Sequence, residues 1–313
     1  MELFRDRFLS DRREVIGSLH DLYVYIDGQF LCRNEASISV WEHAFMYGDS
    51  VFEGIRAYQG KVFRLSEHLQ RLVDSAKSLG IKMPLTIEEL TEVVLATFRI
   101  NRLQEGHMRL TVTRGVGIVG LDPRKAKRPS VIAMAYPFPP LLGEKAVRLM
   151  TSSVRRKSCD SVDAKVKSSN YMDNILAKLQ ANSAGVDDAL MLDRDGYVAE
   201  ATAANIFVRR KGRWSTPSPV ACLEGVTRQL AMDILKGMGA PVEEHSLTLH
   251  ELYVAEEIFL TGTGAEIVPV ESVDGRTIGE GAPGPVTKEV IRRFKILTEE
   301  GVPIDSSMPK EKV

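Results

Sequence analysis

The sequence predicts a mixed α/β (α+β) chain of two domains, and three observations carry that reading. Its 313 residues exceed one average domain. Segments with apolar residues at every second position are interspersed with segments whose apolar residues recur every three or four. Between two such groups runs Pro137-Phe138-Pro139-Pro140-Leu141-Leu142-Gly143, where consecutive prolines end regular structure. The division that follows is an extension over 1–21, a smaller domain over 22–136, a linker over 137–145, a larger domain over 146–300 and a mobile tail over 301–313.

Taken in order, residues 1–21 read as a short amphipathic helix with Ser10 as a possible cap. Tyr23 to Ile26, the Asp27-Gly28 turn and Gln29 to Cys32 form a hairpin. Ser66 is expected to cap a helix whose apolar stripe is Leu69, Leu72, Val73, Ala76 and Leu79. Thr86 and Glu89 make a capping box for the next, with Leu90, Val93, Val94 and Phe98 inward. His107 to Gly115 alternates as a strand, which places His107 and Arg109 on one face, and Val116 to Leu121 is a Gly-rich loop. Ser130 to Tyr136 and Ala146 to Ser153 are strands on either side of the linker. Later come the turn Leu223-Glu224-Gly225 feeding a helix with Leu230, Ile234, Leu235 and Met238 on one side, a buried strand over Glu257 to Thr261 and a closing helix over Pro283 to Leu297.

Composition narrows the function classes. With 44% apolar and 27% charged residues the chain is an ordinary soluble protein able to bury a core. A net charge of −1 gives no electrostatic case for nucleic acid or an anionic membrane. Cys32, Cys159 and Cys222 are odd in number and far apart, which reads as reduced thiols in a cytoplasm, not as a metal site. No run approaches the ~18 apolar residues of a membrane span, and the charged N-terminus is unlike a secretory signal.

The stretch with most chemical content runs from Ala164 to Asn205. Val162, Ala164 and Val166 alternate with Asp163, Lys165 and Lys167, a strand pattern, and Ser168, Ser169 and Asn170 are candidate caps for the helix after it. A lysine at such a junction can project into a cleft, where an unprotonated amine is a nucleophile. Strand parity does not choose between Lys165 and Lys167. A hairpin from Ala189 through Arg194-Asp195-Gly196 to Val208 brings Glu200 alongside. By residue type alone each of these charges belongs in solvent, as does Arg71 on its helix.

The wording of the motifs selects among them. Lys167-Ser168-Ser169-Asn170-Tyr171, then Asn174-Ile175-Leu176-Ala177-Lys178, then Gly196-Tyr197-Val198-Ala199-Glu200-Ala201-Thr202-Ala203-Ala204-Asn205-Ile206-Phe207 resembles the class IV aminotransferases. These are two-domain fold-type IV enzymes, like D-amino-acid aminotransferase in fold, that use pyridoxal phosphate, and the resemblance is closest to branched-chain amino-acid aminotransferases. Matches run in family order from about Tyr23 to Gly284.

The resemblance implies that Lys167 holds the cofactor covalently, Glu200 faces its pyridine nitrogen and Tyr171 lies near its ring oxygen. It implies that Arg71, in Glu67-His68-Leu69-Gln70-Arg71-Leu72, grips the phosphate, whose cup is the segment from Leu223 to Val226 and Thr227. Arginine suits that task because its planar fork matches phosphate oxygens. Thr263 with the backbone of Gly264 and Ala265 would touch phosphate and substrate carboxylate. From Tyr47-Gly48-Asp49-Ser50-Val51-Phe52-Glu53-Gly54-Ile55-Arg56, Tyr47 and Phe52 would line the substrate pocket with Arg56 near it, and His107 and Arg109 would complete it.

The implied reaction is reversible ping-pong transfer of an amino group from leucine, isoleucine or valine to 2-oxoglutarate, with small amino acids and 2-oxo acids as the partners. The loop from Val116 to Leu121 resembles an element that reaches a partner subunit's active site, which implies a homodimer or higher homo-oligomer. One position departs from the pattern. His107 stands where the branched-chain enzymes commonly carry a tyrosine, and a histidine there also occurs in D-amino-acid aminotransferases. The Arg-x-His of the D-specific group is absent from Val116-Gly117-Ile118-Val119-Gly120-Leu121-Asp122-Pro123. Within the fold, D-amino-acid or (R)-amine aminotransferase and aminodeoxychorismate lyase are the alternatives. Tyr47, Phe52 and Met108 lean the reading toward branched aliphatic substrates.

Overall fold

The computed structural model describes residues 22–140, 142 and 145–306. The helix expected within 1–21, part of the linker and the tail from 307 lie outside the described residues.

Two sheets organise the fold. The first is built from β1 (Tyr23–Ile26), β2 (Gln29–Cys32), β3 (Ser50–Tyr58), β4 (Lys61–Val62), β5 (Gly106–Thr113) and β6 (Val131–Tyr136), with α1 (His43–Tyr47) before β3 and α2 (Leu65–Ser78) and α3 (Ile87–Ile100) after β4. In the β1–β2 hairpin both turn residues have positive φ, Asp27 at 46° and Gly28 at 92°, as a tight turn between twisted strands requires. Leu69, Leu72 and Ala76 of α2 and Leu90, Val94 and Phe98 of α3 are fully buried over this sheet. Met108 is buried in the same core, on the face of β5 opposite His107 and Arg109, because side chains alternate along a strand. It does not lean on the substrate pocket as expected.

The second sheet comprises β7 (Val147–Arg155), β8 (Asp188–Leu192), β9 (Val198–Ala201), β10 (Asn205–Arg210), β11 (Arg213–Thr216), β12 (Val242–Glu244), β13 (Glu257–Gly262), β14 (Glu266–Val273) and β15 (Arg276–Thr277). Its order is β12-β11-β10-β13-β14-β7-β8-β9, with β15 on β14. α4 (Met172–Ser183), α5 (Val226–Gly237), α6 (Leu249–Tyr253) and α7 (Pro285–Leu297) accompany it. Phe207 and Phe259 stack at 4.8 Å between centroids beneath α5 and α7.

Finally β16 (Val302–Pro303) returns to the first sheet, which reads β16-β4-β3-β5-β6-β1-β2. The mobile tail expected from 301 is therefore paired at its start, and Ile304 is buried in the first core.

Several local expectations fail. The hairpin limb expected to run to Val208 breaks at 202–204, so β9 pairs with β8 and β10 with β13. Residues 162–167 are turns, not a strand, because Asp163 Oδ1 accepts the Lys165 N–H at 2.9 Å and the backbone folds back on itself. Ser168, Ser169 and Asn170 do not cap α4, whose N-cap is Tyr171 without a side-chain bond. They fasten the loop to β3 instead, Ser50 Oγ donating to Ser169 Oγ at 2.6 Å and Asn170 Nδ2 to Gly48 O at 3.1 Å. Ser66 does not cap α2 either; the cap is Arg64 at φ 50°, and Ser66 donates to Glu67.

Candidate active site

Between the two sheets lies a cavity of about 440 Å³, within the ~300–1,000 Å³ range of small-molecule pockets. Phe52, Arg71, His107, Arg109, Lys167, Tyr171, Glu200, Leu223, Val226, Thr227, Thr263 and Gly264 all line it. Tyr47, Arg56 and Ala265 do not. Tyr47 Oη accepts the Gly120 N–H at 2.9 Å, out against the 116–121 loop. Arg56 is spent on Glu266, 3.3 Å away, and on the Tyr58 ring. Ala265 is buried beneath the turn that carries its two neighbours.

Lys167 owes its place to an open strand edge. β4 pairs only with Ala57 and Tyr58 of β3, so the start of β3 has free backbone groups. The loop supplies them: Phe52 N donates to Lys167 O at 3.0 Å and Ser169 N to Ser50 O at 2.9 Å. From that seam Lys167 Nζ donates to Tyr171 Oη at 3.2 Å and lies 4.6 Å from the Phe52 ring centroid.

Glu200 is buried in β9, and three donors hold its carboxylate. Arg156 Nε donates to Oε1 at 2.6 Å, while Asn205 Nδ2 and the Leu223 N–H each donate to Oε2 at 3.2 Å. A carboxylate has about four acceptor directions, so about one remains for a donor in the cavity. Arg156 also pairs with Asp173 at 2.8 Å, and although burial opposes its charge, Glu200 and Asp173 raise its pKa further. Beside them the Cys222 thiol is pushed up to about 12 by burial and by the Glu200 charge, which leaves it inert.

At the other end the cavity gathers donors of the kind that suit an anion. α5 begins at Val226 behind Gly225, with no side-chain cap, so its first N–H groups are free for a ligand. A Cβ at Gly225 would sit 2.2 Å from Asn205 Oδ1 and displace the amide that donates to Glu200 and to Leu223 O. Arg71 stands at the same end, its Nη1 donating to Glu224 O at 2.8 Å.

The third wall is polar in a different way. Arg109 lies with its guanidinium carbon 3.6 Å from the Phe52 centroid, and its Nη2 donates to Ser169 Oγ at 3.4 Å. No carboxylate of the described residues pairs with it. His107 Nδ1 is 3.0 Å from Tyr136 Oη, and burial, helped by Arg56, His68, Lys167 and Arg109, depresses its pKa to about 4. It is therefore a neutral ring at physiological pH.

Sequence reasoning missed Arg156, Asn205, Ser169 and Tyr136 in this lining. It also missed the buried Glu53 and His68 behind it. One signal was available: a glutamate in the fully buried run Val198–Ala201 demands a cation. Among the described residues no group of His, Cys, Asp or Glu forms a metal site, and no helix is long and apolar enough to cross a membrane.

Comparison with known proteins agrees with this architecture. The family profile described as amino-transferase class IV matches residues 50–273. A protein of Methanocaldococcus jannaschii named for branched-chain-amino-acid aminotransferase activity is 50% identical over 284 residues, covering 90% of this chain and 98% of that one. The crystal structure of the Escherichia coli branched-chain amino acid aminotransferase superposes with a TM-score of 0.86 at 35% identity, over 90% of this chain and 96% of that one. The T.th. branched-chain amino acid aminotransferase complexed with N-(5'-phosphopyridoxyl)-L-glutamate gives 0.85 at 36% identity, over 90% and 96%.

Proposed function

The chain belongs to the class IV aminotransferases, and on that footing we propose that it transfers the amino group of branched-chain L-amino acids to 2-oxoglutarate with pyridoxal phosphate as cofactor. One observation carries the reading: an amine, an ionisable acid and an anion site face a single cavity, supplied by Lys167, Glu200 and the Arg71–Val226 end. That donor set suits the cofactor's three handles, an aldehyde, a ring nitrogen and a phosphate. The phosphopyridoxyl group bound in the T.th. relative supports the same assignment.

When bound, the cofactor supplies an electron-poor ring that accepts the electron pair released at the substrate Cα. The protein does the rest. Arg71, the N–H groups of Val226 and Thr227 and the hydroxyls of Thr227 and Thr263 bind the phosphate. Glu200 offers its open acceptor direction to the ring nitrogen and, through its negative charge, keeps a proton there. Tyr171 Oη orients Lys167 Nζ, which would hold the cofactor at rest and, once freed, would carry the proton between the substrate Cα and the cofactor C4′. Arg109, without an acidic partner among the described residues, binds the carboxylate of amino acid or oxo acid. Phe52 walls the side-chain space.

We infer further that the working form is a homodimer. Val116, Ile118, Val119 and Leu121 stand exposed in one loop, Leu121 at 82%, and Trp41 and Phe45 are exposed beside them. Gly117 N donates to Trp41 O at 3.1 Å, so the two segments form one patch, of the kind that marks an association surface.

His107 favours a second reading, a D-amino-acid or (R)-amine aminotransferase, because it faces the cavity where substrate binds. A panel of L-leucine, L-isoleucine, L-valine, D-alanine and an (R)-arylamine with 2-oxoglutarate separates the two. Turnover of the L-donors alone is expected. D-alanine outrunning L-leucine would transfer the assignment to the second reading, and pyruvate release from aminodeoxychorismate would transfer it to a lyase.

A further inference from the structure

The polar groups at the anion end of the cavity are not independent of one another. Glu53 of β3 is fully buried, with no exposed surface, and its two oxygens serve two neighbours on α2. Oε1 accepts from Arg71 Nε at 2.7 Å, and Oε2 accepts from Arg71 Nη2 at 2.8 Å and from His68 Nδ1 at 2.7 Å. Burial alone would raise the Glu53 carboxyl; the Arg71 charge and these bonds outweigh it and hold it at about 2.

An ionised carboxylate only accepts, so His68 Nδ1 carries a hydrogen and the ring is fixed; where Nε2 carries one too it donates toward Thr263, which keeps the threonine's own hydrogen for a phosphate. His68 Nε2 then lies 3.5 Å from Thr263 Oγ1, on the turn between β13 and β14 of the other sheet. His68 is 2% exposed and is absent from the cavity lining, whereas Arg71 and Thr263 are both in it. One buried acid thus reaches two ligand-facing side chains that come from opposite layers. Arg71 has five N–H groups. Glu53 takes two of them and Glu224 O a third, leaving one on each terminal nitrogen of a side chain that lines the cavity.

We propose that Glu53 and His68 are a positioning pair for the phosphate end of the cofactor site. Glu53 locks the Arg71 fork, and His68 passes the same constraint across the interlayer gap to Thr263. Both halves of the anion site are set before a phosphate arrives, which lowers the ordering cost of binding. The inference rests on the reading of Arg71 and Thr263 as phosphate ligands given above.

The test uses the holoenzyme and reads retention of pyridoxal phosphate, from the visible band of the lysine-bound cofactor, separately from kcat at saturating cofactor. By analogy with residues that orient metal ligands, His68→Leu is expected to raise the cofactor Kd about 10- to 100-fold. Its saturated kcat should stay within about threefold, and the ³¹P resonance of the bound phosphate should move. His68→Asn, which keeps a donor toward Glu53, should recover part of the affinity, and it carries the test if the leucine variant does not fold. Combined with Thr263→Val, the His68→Leu loss should be less than multiplicative, because one contact is removed twice. A wild-type Kd in His68→Leu or His68→Asn, or strictly multiplicative losses, overturns the proposal. Arg71→Gln separates the two levels. If it leaves Kd unchanged, the phosphate reading itself falls; if it weakens binding while the His68 variants do not, that reading stands and the positioning pair falls.

Discussion

The Lys167 amine meets the Phe52 ring on one side and the Tyr171 phenol on another, and its backbone is stitched to β3. Removing the amine without moving that seam is therefore a clean experiment. Lys167→Ala should fold, lose the visible cofactor band and lose all turnover; normal activity would exclude its role. Glu200→Gln should retain some cofactor but lose most of the rate, because a neutral amide no longer favours a protonated ring nitrogen. Wild-type rates there would remove Glu200 from the mechanism. His107 gives a pH prediction. Its pKa falls from 6.5 to about 4 on folding, through burial first and then Arg56, His68, Lys167 and Arg109. Between those values the unfolded chain binds the extra proton, so this contribution to stability is complete above about 6.5 and is lost as pH falls through 4. Thermal melts should drop over that window, and His107→Gln should flatten the drop. That Lys167, Glu200 and Arg71 would share one cavity was legible because each sits in a distinctive local wording. Arg156, Asn205, Glu53 and His68 were not, since they act through another side chain and no local pattern announces a contact made across the fold.

Among elements, the longer helices and about half of the strands follow from periodicity, whereas α1, α6 and β3 drew no such reading: α3 has the Thr86–Glu89 capping box and buries the stripe read from the sequence. The 157–171 loop defeated the same reasoning, because alternating residues also occur where short polar side chains bond their own backbone and break the ladder. β16 was illegible for another reason. A two-residue strand carries no period, and only the vacant edge of β4 explains it. Its energetic reality is testable at Ile304, which is 1% exposed in the first core. Ile304→Ala should cost about 2–5 kcal/mol in denaturant unfolding. A change below about 0.5 kcal/mol, typical of surface sites, would mean that this segment does not belong to the core.

For the whole molecule, the site exists only where the two sheets face each other, and its elements reach it from both. The apolar patch around Trp41 and the 116–121 loop gives the assembly prediction. Ile118→Asp should shift the protein toward monomer in sedimentation velocity, with activity falling alongside. An unchanged dimer, or a fully active monomer, would disconnect that patch from assembly or from turnover. The return of Val302–Pro303 to β4 has a consequence during biosynthesis. About 240 residues of further translation, at roughly 5–20 residues per second, separate the emergence of β4 from that of its outer neighbour. For roughly 10–50 s the nascent chain therefore carries an unpaired strand edge and an unfilled notch beside the ribosome, and that is the interval in which a chaperone has most to protect.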